Sequence, residues 1–171
     1  MSTPAVSPAL DRAVATTTRL RQAAQAGDVE GFVQLLAPDV VLHSPITTRV
    51  QFRGRDELRT LMTAVFASLE DLEYFAETGD ETTRALFLRA RIGRQDVEEA
   101  MLVRLGDDGL VAELRVWFRP MPGLATLMAA LGPKLARTTK GRMRAVLITA
   151  MTKPLVFLTR TGDAAAVKLV F

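Results

Sequence analysis

The sequence predicts an α+β fold: a curved, mostly antiparallel sheet in the form of a cone-shaped barrel, packed on three N-terminal helices, with a helical C-terminal extension. Three observations carry this reading. Apolar residues recur at helical spacing as far as Leu69, but every second residue from Asp71 to Pro120. The charge also changes sign near Met121. Of 22 Lys plus Arg and 19 Asp plus Glu, eight bases and one acid lie in residues 121–171. That leaves 14 bases, all Arg, against 18 acids in residues 1–120. Such a split marks two physically different parts, a domain at 1–122 and a basic extension at 123–171.

Taken in order, the first helix opens with Ser7 as N-cap and Pro8 at its first position, and Leu10, Val14, Thr17, Leu20 and Ala24 form its stripe up to Gly27. Asp28 caps a short second helix that buries Phe32, Leu35 and Leu36 and ends before Pro38. The β-branched run "DVVLHSPI" is a strand, and "RVQFRG" resumes extended structure after a loop. Asp56 then caps a third helix with the stripe Leu58, Leu61, Met62, Val65, Phe66 and Leu69. Four strand-like runs follow, "LEYFAETG", "RALFLRARIG", "VEEAMLVRLG" and "GLVAELRVWFRP", separated by "DET", "RQD" and the hairpin-forming "DDG". The extension reads as two or three short helices punctuated by Gly132-Pro133, Gly141 and Pro154.

Composition excludes several kinds of chemistry. Without cysteine there is no disulfide and no thiolate nucleophile, and a single histidine rules out a His-rich metal cluster. Every lysine lies in the extension, so the main body has no Schiff-base lysine. No glycine-rich phosphate loop occurs, and neither a cofactor nor a metal is expected. The N-terminus lacks the pattern of a secretory signal, so a cytoplasmic location is expected. No nucleic-acid motif accompanies the basic residues of the extension, which alternate with Leu, Met, Val and Phe. They suit helices docked on the barrel as a lid, or weak contact with a membrane surface.

The element order and the stretch "LLAPDVVLHSPITTRVQFRGRDEL" resemble the nuclear transport factor 2-like superfamily, and most of all its small bacterial SnoaL-like proteins. This group includes ketosteroid isomerases, polyketide cyclases and limonene-epoxide-hydrolase-like enzymes. The resemblance covers roughly residues 10–122. It implies one deep apolar pocket between sheet and helices, and either cofactor-independent acid/base chemistry (isomerase, cyclase or hydrolase) or a non-catalytic ligand-binding or dimerisation module. In ketosteroid isomerases an aspartate base precedes the proline that ends the first strand. Here Ser44 stands before Pro45, and the adjacent His43 offers an imidazole instead.

His43 and Glu98 are therefore the candidate acid/base residues, and each has a structural alternative. His43 suits hydrogen bonding at a strand end, and Glu98 a salt bridge to Arg89 or Arg91. Only one of Glu98 and Glu99 can face the pocket. Met101 stands where the resemblance implies a second acid, and leaves soft apolar lining. Glu113, Arg115, Trp117 and Arg119 share one strand face. Arg115 suits a subunit interface, whereas Trp117 and Arg119 suit the pocket or its rim. Tyr74 suits orienting a ligand oxygen, or filling its strand with the hydroxyl at the rim. The expected cavity is lined by Leu58, Met62, Phe66, Leu86, Leu88, Met101 and Val103, and its expected partners are a small hydrophobic molecule and a second copy of the chain.

Overall fold

The computed structural model describes residues 7–139, 154–159, 161 and 162. Helix α1 (Pro8–Ala26) begins where the Ser7 hydroxyl accepts from the Ala9 N–H at 3.3 Å, and stops at Gly27, whose φ of 66° is in the left-handed region. Helix α2 (Val29–Gln34) is capped by Asp28, which accepts from the Gly31 N–H at 2.9 Å.

Strand β1 (Leu36–His43) starts earlier than the sequence suggests and contains Pro38 rather than following it. The proline is tolerated because the pairing with the last strand is irregular between Leu36 and Val41, where a missing N–H costs no ladder bond. After β2 (Gln51–Arg53), helix α3 (Gly54–Phe66) begins two residues before the expected cap. Asp56 lies in its first turn, and Glu57 instead reaches back to accept from the Arg53 N–H at 2.8 Å.

The meander β3 (Glu70–Gly79), β4 (Thr83–Ile92), β5 (Gln95–Leu105) and β6 (Val111–Arg119) follows. In its last turn Gly109 has a φ of 77°, and the Asp108 carboxylate accepts from the Leu110 N–H at 2.9 Å.

The strands lie in the order β2-β1-β6-β5-β4-β3, all antiparallel except the β1–β6 pair. The sheet is curved but unclosed, since β2 and β3 remain its two edges. Alternation along the meander sends one row of side chains inward and the next outward. Leu86, Met101 and Val116 face one another across β4, β5 and β6 on the inner face, and Phe87, Ala100 and Trp117 do so on the outer face. Helices α1 to α3 cover the inner face, packing Leu20, Phe32, Leu58 and Leu61 on Leu86, Val103 and Leu114.

One end of this core is closed by ions. Glu77 accepts from Arg84 at 2.9 and 3.0 Å and from the Thr17 hydroxyl at 2.6 Å, with Arg21 at 3.3 Å. Both members of the Glu77–Arg84 pair are nearly buried, and their mutual hydrogen bonds offset the loss of water.

Helix α4 (Met121–Thr139) is a single helix that runs through Gly132-Pro133, where the sequence suggests a break. Its buried Leu127 and Leu131 complete a second apolar cluster with Ala64, Leu88, Ala90, Ile92 and Val97, and dock the part of the helix that precedes the proline. Residues 154–159 are also helical. The side chains of all eight bases of the extension lie outside the described residues, and with them the expected membrane-surface contact and the break at Gly141. Among the described residues, no helix is long and apolar enough to cross a membrane.

Burying a leucine side chain contributes about 1.5–3 kcal/mol. Ending the chain after Pro122 exposes Leu88, Ala90, Ile92 and Val97 as well as removing Leu127 and Leu131. Truncation is therefore expected to lower the unfolding free energy by about 3 kcal/mol or more. Urea denaturation checks this, and an unchanged midpoint would show that α4 contributes nothing to the core.

Candidate functional site

The inner face of the sheet is concave, and the helices do not fill it. A cavity of about 240 Å³ remains between α1, α2 and α3 on one side and the sheet on the other, with α4 across one end. Phe32 comes from α2, Met62 and Phe66 from α3, Met101 from β5, and Leu127 and Leu131 from α4. The Phe32 and Phe66 rings meet edge to face with centroids 5.6 Å apart, a stable arrangement for two aromatic walls.

Side-chain polarity in this lining comes down to three groups, Ser44, Tyr74 and Glu99. Ser44 follows β1, and its hydroxyl accepts from the Ile46 N–H at 3.2 Å. The other two belong to one row across the sheet. Tyr74 lies opposite Leu88, Leu88 opposite Glu99, and Glu99 opposite Phe118. The apolar members of that row point into the cavity, so the tyrosine and the glutamate do too.

Glu99 is the unusual member. Among the described residues its carboxyl has no hydrogen-bond partner and no ion pair, and the half-buried side chain lines the cavity. Loss of water, with nothing to replace it, pushes the carboxyl up to about 8. The Tyr74 hydroxyl is also pushed up, first by burial and then by the neighbouring Glu99 charge, with Arg21 acting weakly in the opposite direction. A carboxyl that holds its proton near neutrality can donate a hydrogen bond, release the proton or take it back.

The structure distributes the residues singled out from sequence between two faces. Ser44, Met62, Phe66, Tyr74 and Met101 line the cavity. His43 and Glu98 do not, and this corrects the expected acid/base pair. Leu42 is turned inward, so its neighbour His43 points out. There Nε2 lies 3.0 Å from Glu113 and Nδ1 lies 3.3 Å from the Gln51 amide, a geometry that satisfies both ring nitrogens. Arg115 donates to the same Glu113 and, with His43 and Arg104, holds that carboxyl below its usual range against the opposing effect of burial.

Glu98 is on the outer face, 3.4 Å from Arg119, its register partner on β6. Arg89 and Arg91, the partners expected for it, pair instead with Glu73 and with Glu70 and Asp71. Trp117 and Arg119 likewise stand outside the cavity, with Trp117 56% exposed. Leu58, Leu86 and Val103 are buried in the core rather than lining the cavity. Glu99 is the residue the sequence reading passed over. Counting back two positions from Met101, assigned to the lining by the resemblance, lands on Glu99 and not on Glu98.

Among the described residues, no cluster of three or more His, Cys, Asp or Glu is arranged to hold a metal ion. Among the described residues, the cavity offers one carboxyl, one phenol and one hydroxyl among apolar walls.

Comparison with solved structures places this architecture among proteins of the same fold. A steroid delta-isomerase from Pseudomonas aeruginosa is 27% identical, with a TM-score of 0.69 over 80% of this chain and 98% of its own. An uncharacterised protein with a cystatin-like fold from Silicibacter pomeroyi is 25% identical, with a TM-score of 0.69 over 75% of this chain and 93% of its own. An epoxide hydrolase/cyclase-like enzyme of pyran ring formation in the polyether salinomycin is 16% identical, with a TM-score of 0.56 over 64% of this chain and 92% of its own. The last likeness is one of fold alone. No curated protein matches the chain. The model of the SnoaL-like domain matches residues 17–114, a span that runs from within α1 into β6. The chain belongs to the SnoaL-like domain family.

Proposed function

We propose that this chain binds a small, largely apolar molecule inside the sheet–helix cavity and that Glu99 exchanges a proton with it. The observation that supports this reading is the unpartnered carboxyl in an almost wholly hydrocarbon cavity. Burying an ionisable group without a partner is destabilising, so its position is explained by what the cavity receives rather than by the core. A second reading, catalysis, is favoured by the likeness to a steroid delta-isomerase. On that reading Glu99 moves a proton on the bound molecule, as in a cofactor-independent isomerisation or cyclisation, with the Tyr74 hydroxyl as a fixed donor.

The outer face supports a proposal of its own. Trp117 and Phe75 are 56% and 52% exposed, and Phe75 lies on Phe87 with ring centroids 6.3 Å apart. With Ala100 between Phe87 and Trp117, they form an apolar band flanked by the Glu98–Arg119 and Glu113–Arg115 pairs. An apolar centre with a charged rim is the anatomy of a subunit interface, and we propose that two copies pair through it.

Three outcomes are expected. Apolar ring compounds are expected to raise the melting temperature by several degrees, and nucleotides and sugars to leave it unchanged; the reverse order would contradict the binding reading. Sedimentation at micromolar concentration is expected to show a dimer, and Trp117→Glu a monomer. A monomeric parent protein would remove the dimer.

The third outcome follows from proton linkage. The folded state holds the Glu99 proton up to about pH 8, whereas the unfolded chain releases it near 4.5. Between those values the folded state binds more protons, so this contribution to stability is complete below 4.5 and is lost as pH rises through 8. The loss is on the order of a few kcal/mol. Urea unfolding across this interval is expected to show the decline in the parent protein and a flatter profile in Glu99→Gln; equal slopes would contradict the assignment.

A further inference from the structure

The binding reading leaves open what kind of polar group the apolar molecule carries, and the charges around the cavity narrow the choice. Among the described residues no Arg, Lys or His lines the cavity, and Glu99 is the acid that faces inward. Arg21 of α1 acts on Tyr74 from outside the lining; one of its terminal nitrogens lies 3.3 Å from Glu77, and its Nε is buried without a partner. A ligand carboxylate or phosphate would therefore find no cation among the described lining residues, and it would have to keep Glu99 protonated.

The lining is also rich in rings. Phe32, Phe52, Phe66 and Tyr74 contribute to it, and Phe118 stands directly across from Glu99 on the neighbouring strand. The faces of such rings attract a positive charge once water is excluded. An unpartnered carboxyl among aromatic walls is a combination that recognises an ammonium group.

We propose that the molecule bound in this cavity is a lipophilic amine, with its nitrogen against the Glu99 carboxyl and its ring system among the phenylalanines. This rests on the binding reading above and specifies its ligand. The proton balance is explicit. The amine arrives from water as an ammonium, Glu99 gives up its own proton to solvent, and the complex keeps one proton between nitrogen and carboxyl. A neutral carbonyl or alcohol is held by a single hydrogen bond to the protonated acid, and binds with no proton released.

The test uses three probes of one shape, naphthylmethylamine, naphthylmethanol and naphthoate, titrated calorimetrically into the full chain near neutral pH. The amine is expected to bind at least about tenfold more tightly than the alcohol, and the naphthoate more weakly than either. Repeating the amine titration in buffers of different ionisation enthalpy is expected to show release of close to one proton per ligand. In Glu99→Gln the amine is expected to lose its advantage while the alcohol keeps its affinity, which also shows that the variant is folded. An alcohol that binds as well as the amine would overturn this proposal and leave the binding reading intact. An amine preference that survives in Glu99→Gln would overturn it too. Binding of none of the probes would overturn the binding reading, and the amine proposal with it.

Discussion

The cavity depends on the register of β4, β5 and β6, which places Leu86, Met101 and Val116 in one inward row and Leu88, Glu99 and Phe118 in the next. Side chains alternate along each strand, so a slip of one residue would exchange the two faces. Glu98 and Ala100 would then enter the cavity, and Met101 would go to solvent. The tight turns at Gly93 and Gly109 and the buried row from Leu86 to Ile92 hold that register. The helices then have a fixed concave surface to cover. What they leave uncovered is the cavity.

Within that frame Glu99 costs stability. Its neighbours on β5, Val97, Met101 and Val103, are buried apolar side chains of the kind a core favours. A carboxyl in the same row loses much of its water and finds no donor among the described residues. The buried charges elsewhere in the chain behave differently. Glu77 collects Arg84, Arg21 and Thr17, and Glu113 collects Arg115, His43 and Arg104. Those two carboxylates tie elements together, whereas Glu99 faces an open space. The contrast between satisfied and unsatisfied carboxylates separates a structural acid from a candidate functional one.

Much of this architecture was legible in the sequence. The helical stripes of α1 and α3 and the period-two runs of the meander reflect one-sided burial, which leaves a direct trace in residue order. Local chemistry misled at Pro38, where an irregular pairing with β6 lets the strand run through the proline, and at Gly132-Pro133, which lies inside α4. The site was half legible. Met62 and Phe66 follow from helical periodicity and Met101 from the family resemblance, but the attention drawn by the single His43 and by Glu98 went to the outer face. A lone histidine is conspicuous in a sequence, yet only its strand partners decide where it points. The parity that separates Glu99 from Glu98 was present in the sequence once Met101 was placed inward.

The central claim is that Glu99 is an isolated acid inside an apolar cavity, and the titration of its own carboxyl tests it most directly. Carbon-13 NMR of glutamate-labelled protein, assigned with Glu99→Gln, resolves this signal from the exposed glutamates. The account predicts one glutamate carboxyl titrating near 8, absent from the variant. A Glu99 signal titrating near its ordinary value of 4.5 would contradict it, because a carboxyl that ionises so readily has found water or a donor that the cavity does not offer.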